Sequence, residues 1–264
     1  MEDKYKISKK NIYILSIIAL CLIAMIIIQF GQLSFFDDIL ISNMVNDTIF
    51  RFLGSIVFIF IIYIFGHKIL NIHKPFMKSI LIVLPALLIS INNFPFIPFL
   101  SGNAEITKPV YTIFIFAITC ISVGLFEELI FRGLILFFLL EKLPKNKRGL
   151  LLSIVISSAL FGFMHLFNIF DGANVGATLL QVMYSFAMGL MWSIIVLKTK
   201  TIWLAVILHS LYNFSGLLFP TLGNLTEKYD LATIIITSIL ALSVAFYTYK
   251  IFLTLVPKEI EAMY

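Results

Sequence analysis

The chain has 264 residues, 61% of them apolar and 12% charged, against roughly 45–50% and about 25% for a soluble domain. That balance excludes a disordered chain and an ordinary soluble domain. With 27 phenylalanines and a mean hydropathy of +1.05, it describes a polytopic membrane protein. The net charge of +5 is carried by short loops between apolar runs, a pattern that orients a membrane protein rather than one that marks a nucleic-acid binder. Cys21 and Cys120 lie inside apolar runs with no paired spacing, so neither a disulfide framework nor a cysteine-based zinc site is indicated.

A helix must be about 20 residues long to cross a hydrocarbon core ~30 Å thick. The first apolar run, about 11–30, follows Lys4, Lys6, Lys9 and Lys10 as in a signal peptide. Its stretch Ile12 to Ile28 exceeds a signal h-region, no small-x-small cleavage site follows, and Leu20 before Cys21 spoils a lipoprotein site. It therefore reads as a retained span. The next segments are about 49–66 and 79–98. The latter holds Pro85 and ends in NNFPFIP, so it is predicted to kink and to finish in an interfacial loop. The fourth, about 109–140, is too long for one upright span and is expected to tilt, project or break near Gly133. Segments at about 149–168, 176–197, 201–219 and 231–252 complete the set.

The expected fold class is all-α: one integral-membrane domain over 1–264, a helix bundle of about eight spans, multi-pass in the cell membrane. Basic residues alternate in load from loop to loop. One side collects the four N-terminal lysines, Lys68, Lys74, Lys78, Lys142, Lys145, Lys147, Arg148, Lys198, Lys200, Lys250 and Lys258; the other has only Arg51, Lys108 and Lys228. The positive-inside rule then places both termini in the cytoplasm.

Ionisable residues inside spans are costly and are functional candidates by default. The fourth segment, SVGLFEELIFRGLILFF, carries Glu127, Glu128 and Arg132. Glu128 and Arg132 are four apart, share a helix face and can pair, leaving Glu127 about 100° around the helix. The fifth has His165, with Phe161 one turn before it; the seventh has His209 and Asn213 on one face. Each also has a plainer reading: a structural ion cluster, a hydrogen-bonded core histidine, or polar glue between helices. His67 and His73 sit in a basic loop, where solvation accounts for them. Together, two carboxylates, two histidines, an asparagine and an arginine on three spans suit a polar cavity with a carboxylate base, an imidazole that carries protons and oxyanion donors.

FEELIFRG matches E-E-x-x-x-R at Glu127, Glu128 and Arg132. FGFMH matches F-x-x-x-H at Phe161 and His165, and HSLYN matches H-x-x-x-N at His209 and Asn213. In order and spacing these resemble the CAAX protease and bacteriocin-processing (CPBP, or Abi) family of intramembrane endopeptidases. FAMGLMWSIIVLKTKTIWLAVILHSLYN, with Gly189 at a small-residue position, extends the likeness. It covers about 109–219, the expected catalytic core.

The resemblance implies an eight-helix bundle around a glutamate-centred site that hydrolyses peptide bonds of membrane-embedded or membrane-associated substrates, with roles in peptide processing or bacteriocin self-immunity. Glu127 is then the base, His165 shares the water and protonates the leaving amine, His209 and Asn213 hold the oxyanion, and Glu128 pairs with Arg132. The family is described both as metalloprotease and as metal-free. A zinc ion on Glu127, His165 and His209 is one alternative, but no H-E-x-x-H helix is present and Asn213 is a better oxyanion donor than zinc ligand, so the metal-free form is the expectation. Two other classes compete: a non-proteolytic bacteriocin-immunity or adaptor protein, and a proton- or ion-coupled transporter, for which no inverted repeat or paired broken helices are visible.

Overall fold

The computed structural model describes residues 33–71, 76–170, 172–226 and 231–263, with 16, 20, 23 and 27 as isolated positions. Within these residues the protein is an all-α, multi-pass membrane bundle. Its helices are α1 (Ile39–Phe65), α2 (Phe76–Asn92), the short α3 (Phe96–Leu100) and α4 (Tyr111–Lys142). They continue with α5 (Lys147–Met164), α6 (Val175–Thr199), α7 (Trp203–Leu222), α8 (Leu231–Thr254) and the short α9 (Pro257–Glu261). Strands β1 (Ala104–Ile106) and β2 (Gly223–Leu225) pair antiparallel, Glu105 opposite Asn224.

Among the described residues six helices are long and apolar enough to cross a membrane: α1, α4, α5 with its extension to Ile169, α6, α7 and α8. The stretch Ser79–Asn92 of α2 is apolar but shorter. The first expected span, with Cys21 and the N-terminal lysines, lies almost wholly outside the described residues, as do His73, Lys74 and Lys228. The outward faces carry Leu81, Phe114, Phe138, Leu242 and Phe246, all exposed, as lipid-facing side chains are. Of the spans, α7 is the most enclosed and α8 the least.

One element starts well away from the sequence expectation. α1 starts at Ile39 rather than near residue 49, so Arg51 lies inside a helix and not in a loop. Asp38 caps the earlier start, its Oδ1 accepting from the Leu40 and Ile41 amides at 2.9 and 3.3 Å, which satisfies donors a bare helix end leaves open. Lys108 bonds the other oxygen of Asp38 at 2.6 Å and holds that carboxyl below its usual range. Arg51 pairs with Asp47 one turn before it at 3.2 Å. The polar run ISNMVNDT, which lowers the hydropathy of this stretch, is thereby carried as helix.

Of the outcomes expected for the long fourth segment, which were to tilt, to project or to break near Gly133, a break does not occur. The helix continues from Tyr111 to Lys142, and Leu129–Ile135 around Gly133 is wound as a π-helix. A π turn inserts an extra residue and shifts the side chains that follow, a device concentrated at functional sites. It begins at the residue after Glu128.

The basic loops gather at one end of the bundle. Lys68 bonds the carbonyls of Ala262 and Met263 through its side chain and amide. Lys147 donates to the carbonyls of Phe252, Leu253 and Leu255, Lys198 to Thr254, and Lys200 pairs with Glu259. His67 is buried here rather than solvated, its Nε2 3.0 Å from Glu141 and its ring 5.0 Å from that of Phe137. The partners come from α4, distant in sequence, so the basic loop gave no sign of them. If this end faces the cytoplasm, reporter fusions at residues 145 and 172, on either side of α5, should read inside and outside respectively. The same side for both would refute the topology.

Candidate active site

The site forms where α4, α5, α6 and α7 meet. Gly124 permits the approach of α7 to α4: a Cβ there would lie 2.4 Å from Ser210 Oγ and 3.0 Å from the Val206 carbonyl oxygen. Gly189 does the same for α6, where a Cβ would sit 3.0 Å from Ser158 Cβ and 3.1 Å from Arg132 Nη2. Ser157 of α5 donates to the Phe131 carbonyl at 2.7 Å, a carbonyl of the π-helical stretch.

Glu128 is the centre of the network. It is fully buried, and its Oε1 accepts from Arg132 Nη1 at 2.9 Å and from His209 Nδ1 at 2.9 Å. A carboxylate only accepts, so the proton on this side of the imidazole is on Nδ1. His209 Nε2 then faces Glu127 Oε2 at 3.5 Å, too far for a strong hydrogen bond and near enough for a bound water or small shift to connect them. Glu127 stays about a quarter exposed (28%) while Glu128, on the next position, is at 0%. Two adjacent carboxylates thus differ in kind: one is locked between an arginine and a histidine, the other is open.

Arg132 is also fully buried, and its Nε and Nη2 have no hydrogen-bond partner among the described residues. The guanidinium instead lies 4.5 Å from the Phe161 ring centre and 5.5 Å from that of Trp192, so aromatic faces meet part of its charge. Phe161 is edge-on to the rings of both His165, at 5.2 Å, and His209, at 5.7 Å. His165 sits where α5 tightens into a 3-10 turn, and its Nδ1 is 3.1 Å from the Phe161 carbonyl. That bond fixes Nδ1 as the donor and leaves Nε2 free.

Four of the six expected residues, Glu127, Glu128, Arg132 and His209, are therefore in direct contact or ion-pairing range. His165 joins them through Phe161. Asn213 is half-buried one turn along α7 from His209, and no hydrogen bond or ring contact among the described residues ties it to the others. Next to it, Asn93 of the NNFPFIP loop donates to the Tyr212 carbonyl at 2.8 Å. A Cβ on Gly216 would meet that amide at 2.1 Å, so the glycine admits Asn93 as a wedge against α7. Sequence reading did not single out Asn93 or Trp192. Asn92–Asn93 at a span end was a visible polar signal; a lone Trp in an apolar run was not. Among the described residues, no three His, Cys, Asp or Glu side chains converge to hold one metal ion.

The fold and this geometry define a multi-pass membrane protein with a buried glutamate–arginine–histidine network beside an open glutamate. Residues 109–215, which include all six expected site residues, match the family described as Rce1-like: type II CAAX prenyl endopeptidase Rce1-like. The match agrees with the resemblance carried by the three motifs. No curated protein and no solved structure matches the chain.

Proposed function

We propose that the protein is an intramembrane endopeptidase that hydrolyses peptide bonds of membrane-embedded or membrane-associated substrates with a glutamate-activated water. The observation that carries this reading is the division of labour between neighbouring carboxylates: Glu128 is committed to Arg132 and His209, while Glu127 is accessible and faces the remaining nitrogen of His209.

In the proposed reaction a water between Glu127 and His165 attacks the scissile carbonyl carbon. Glu127 takes one water proton as the carbon–oxygen bond forms, and the carbonyl π electrons move to oxygen. Asn213 donates to this oxyanion. His209 is restricted by its bond to Glu128: only Nε2 is left to donate, and in the proposed step it does so with both ring nitrogens protonated, its positive charge facing the two carboxylates. Collapse of the intermediate breaks the carbon–nitrogen bond, and the proton reaches the leaving amine through His165. Fixed donors in a dry site are worth more than the same donors in water. A zinc ion held by Glu127, His165 and His209 would supply a polarised water instead; that no three His, Cys, Asp or Glu side chains converge among the described residues favours the metal-free reading.

For the physiological substrate, peptide processing or bacteriocin self-immunity are the uses we favour. Comparing membrane peptides from cells with the wild-type protein and with Glu127→Gln should reveal fragments that depend on Glu127, at equal protein levels. Identical peptide sets would count against proteolysis and favour a binding role.

A further inference from the structure

We propose that Trp192 is a positioning residue for the reaction, holding the imidazole of His209 so that Nε2 points at Glu127; this rests on the peptidase reading above. The indole lies face to face with His209, ring centres 4.3 Å apart and planes at 18°. Four neighbours then surround the imidazole. Nδ1 is bonded to Glu128, one face is covered by Trp192, the ring of Phe161 meets it at 81°, and Nε2 opens towards Glu127.

The imidazole turns about its Cβ–Cγ bond, a broad torsion, and one hydrogen bond through Nδ1 does not by itself fix the plane in which Nε2 meets the open carboxylate. A flat, broad face at stacking distance removes that freedom. Trp192 is itself immobile: it is 1% exposed and also packs against Phe161 and Tyr212. It stands three residues after Gly189, the position that lets α6 close on Arg132, so the same helix turn sets both the arginine and the histidine.

Packing alone does not account for an indole here. Its Nε1–H is buried with no hydrogen-bond partner among the described residues, a standing loss that leucine or phenylalanine would avoid. What the indole adds over either is a wide planar face. A branched aliphatic side chain fills volume without fixing the plane of a neighbouring ring.

The test uses Trp192→Leu and Trp192→Phe in the full chain, purified in detergent, with two readouts. Selective 13C labelling of histidine gives resonances for four residues, and His209→Gln identifies that of His209. In the wild type the His209 ring protons should be displaced upfield by the indole face. Trp192→Leu should abolish that displacement without moving His67, and should lower kcat about 10²-fold with KM unchanged, the scale of a displacement near 1 Å at a reacting group. Trp192→Phe should restore part of both. If Trp192→Leu does not fold, Trp192→Phe alone decides with the same two readouts. A His209 resonance that stays in place on removing the indole overturns the proposal, and so does a displaced resonance with kcat unchanged. A wild-type chain that cleaves no peptide defeats the peptidase reading instead, and the resonance then decides separately whether Trp192 orients His209.

Discussion

Arg132→Ala should lose both folded yield and activity, whereas Glu127→Gln should lose activity alone. Arg132 and Glu128 are both at 0% exposure and bonded at 2.9 Å. Removing one member of a buried pair leaves the other charge uncompensated, which costs about 3–5 kcal/mol. His209 remains bonded to Glu128 and offsets part of this. Arg132 also packs its guanidinium on Phe161 and beneath Gly189, so alanine opens a void where α4, α5 and α6 meet. Lysine is a poor rescue, since it has neither the planar fork nor the ring-stacking face. Glu127, by contrast, is partly exposed and has the nearest imidazole nitrogen at 3.5 Å, so the isosteric amide leaves packing intact. Monodisperse yield by size exclusion, set beside cleavage of a membrane peptide, separates the two. Equal loss of folded protein in both variants would make Glu127 a structural residue too.

Asn213→Ala should lower turnover roughly 10²–10³-fold, the usual effect of deleting one oxyanion donor, with little change in substrate binding. Nothing in the described residues holds the Asn213 side chain in place of substrate, so alanine should leave stability nearly unchanged. Asn213→Asp is the sharper variant. It keeps the shape but turns an amide donor into a carboxylate facing an oxyanion, and should be no better than alanine. If this position held zinc instead, aspartate would be the better ligand, and an active, chelator-sensitive Asn213→Asp enzyme would overturn the oxyanion role.

How far these residues could be read before the structure depends on how local the cause is. Glu128 and Arg132 are four apart on one helix, so their pairing follows from helical geometry alone. That His209 also reaches Glu128 is a contact across 81 positions; the sequence placed both groups inside spans, but not which nitrogen met which carboxylate. The early start of α1 was hidden because polar residues lower hydropathy whether or not a cap and an i,i+4 pair carry them as helix. His67 was misread for a similar reason: its neighbours in sequence are basic, while its neighbours in space are Phe137 and Glu141. Trp192 was invisible because in an apolar run an indole that packs and an indole that orients look the same. Gly133 did mark an irregularity, and the π winding around it bends the regularity of the helix without ending it.

The central claim is that water, activated by Glu127, is the nucleophile. The most direct measurement is cleavage of a defined membrane peptide by the purified protein in 18O-labelled water, with Glu127→Gln alongside. The account predicts one 18O atom in the new C-terminal carboxylate of the wild-type product, no product from folded Glu127→Gln, and no effect of a chelator. Undiminished cleavage by Glu127→Gln, or full loss of wild-type activity on chelation with recovery on adding zinc, would contradict it.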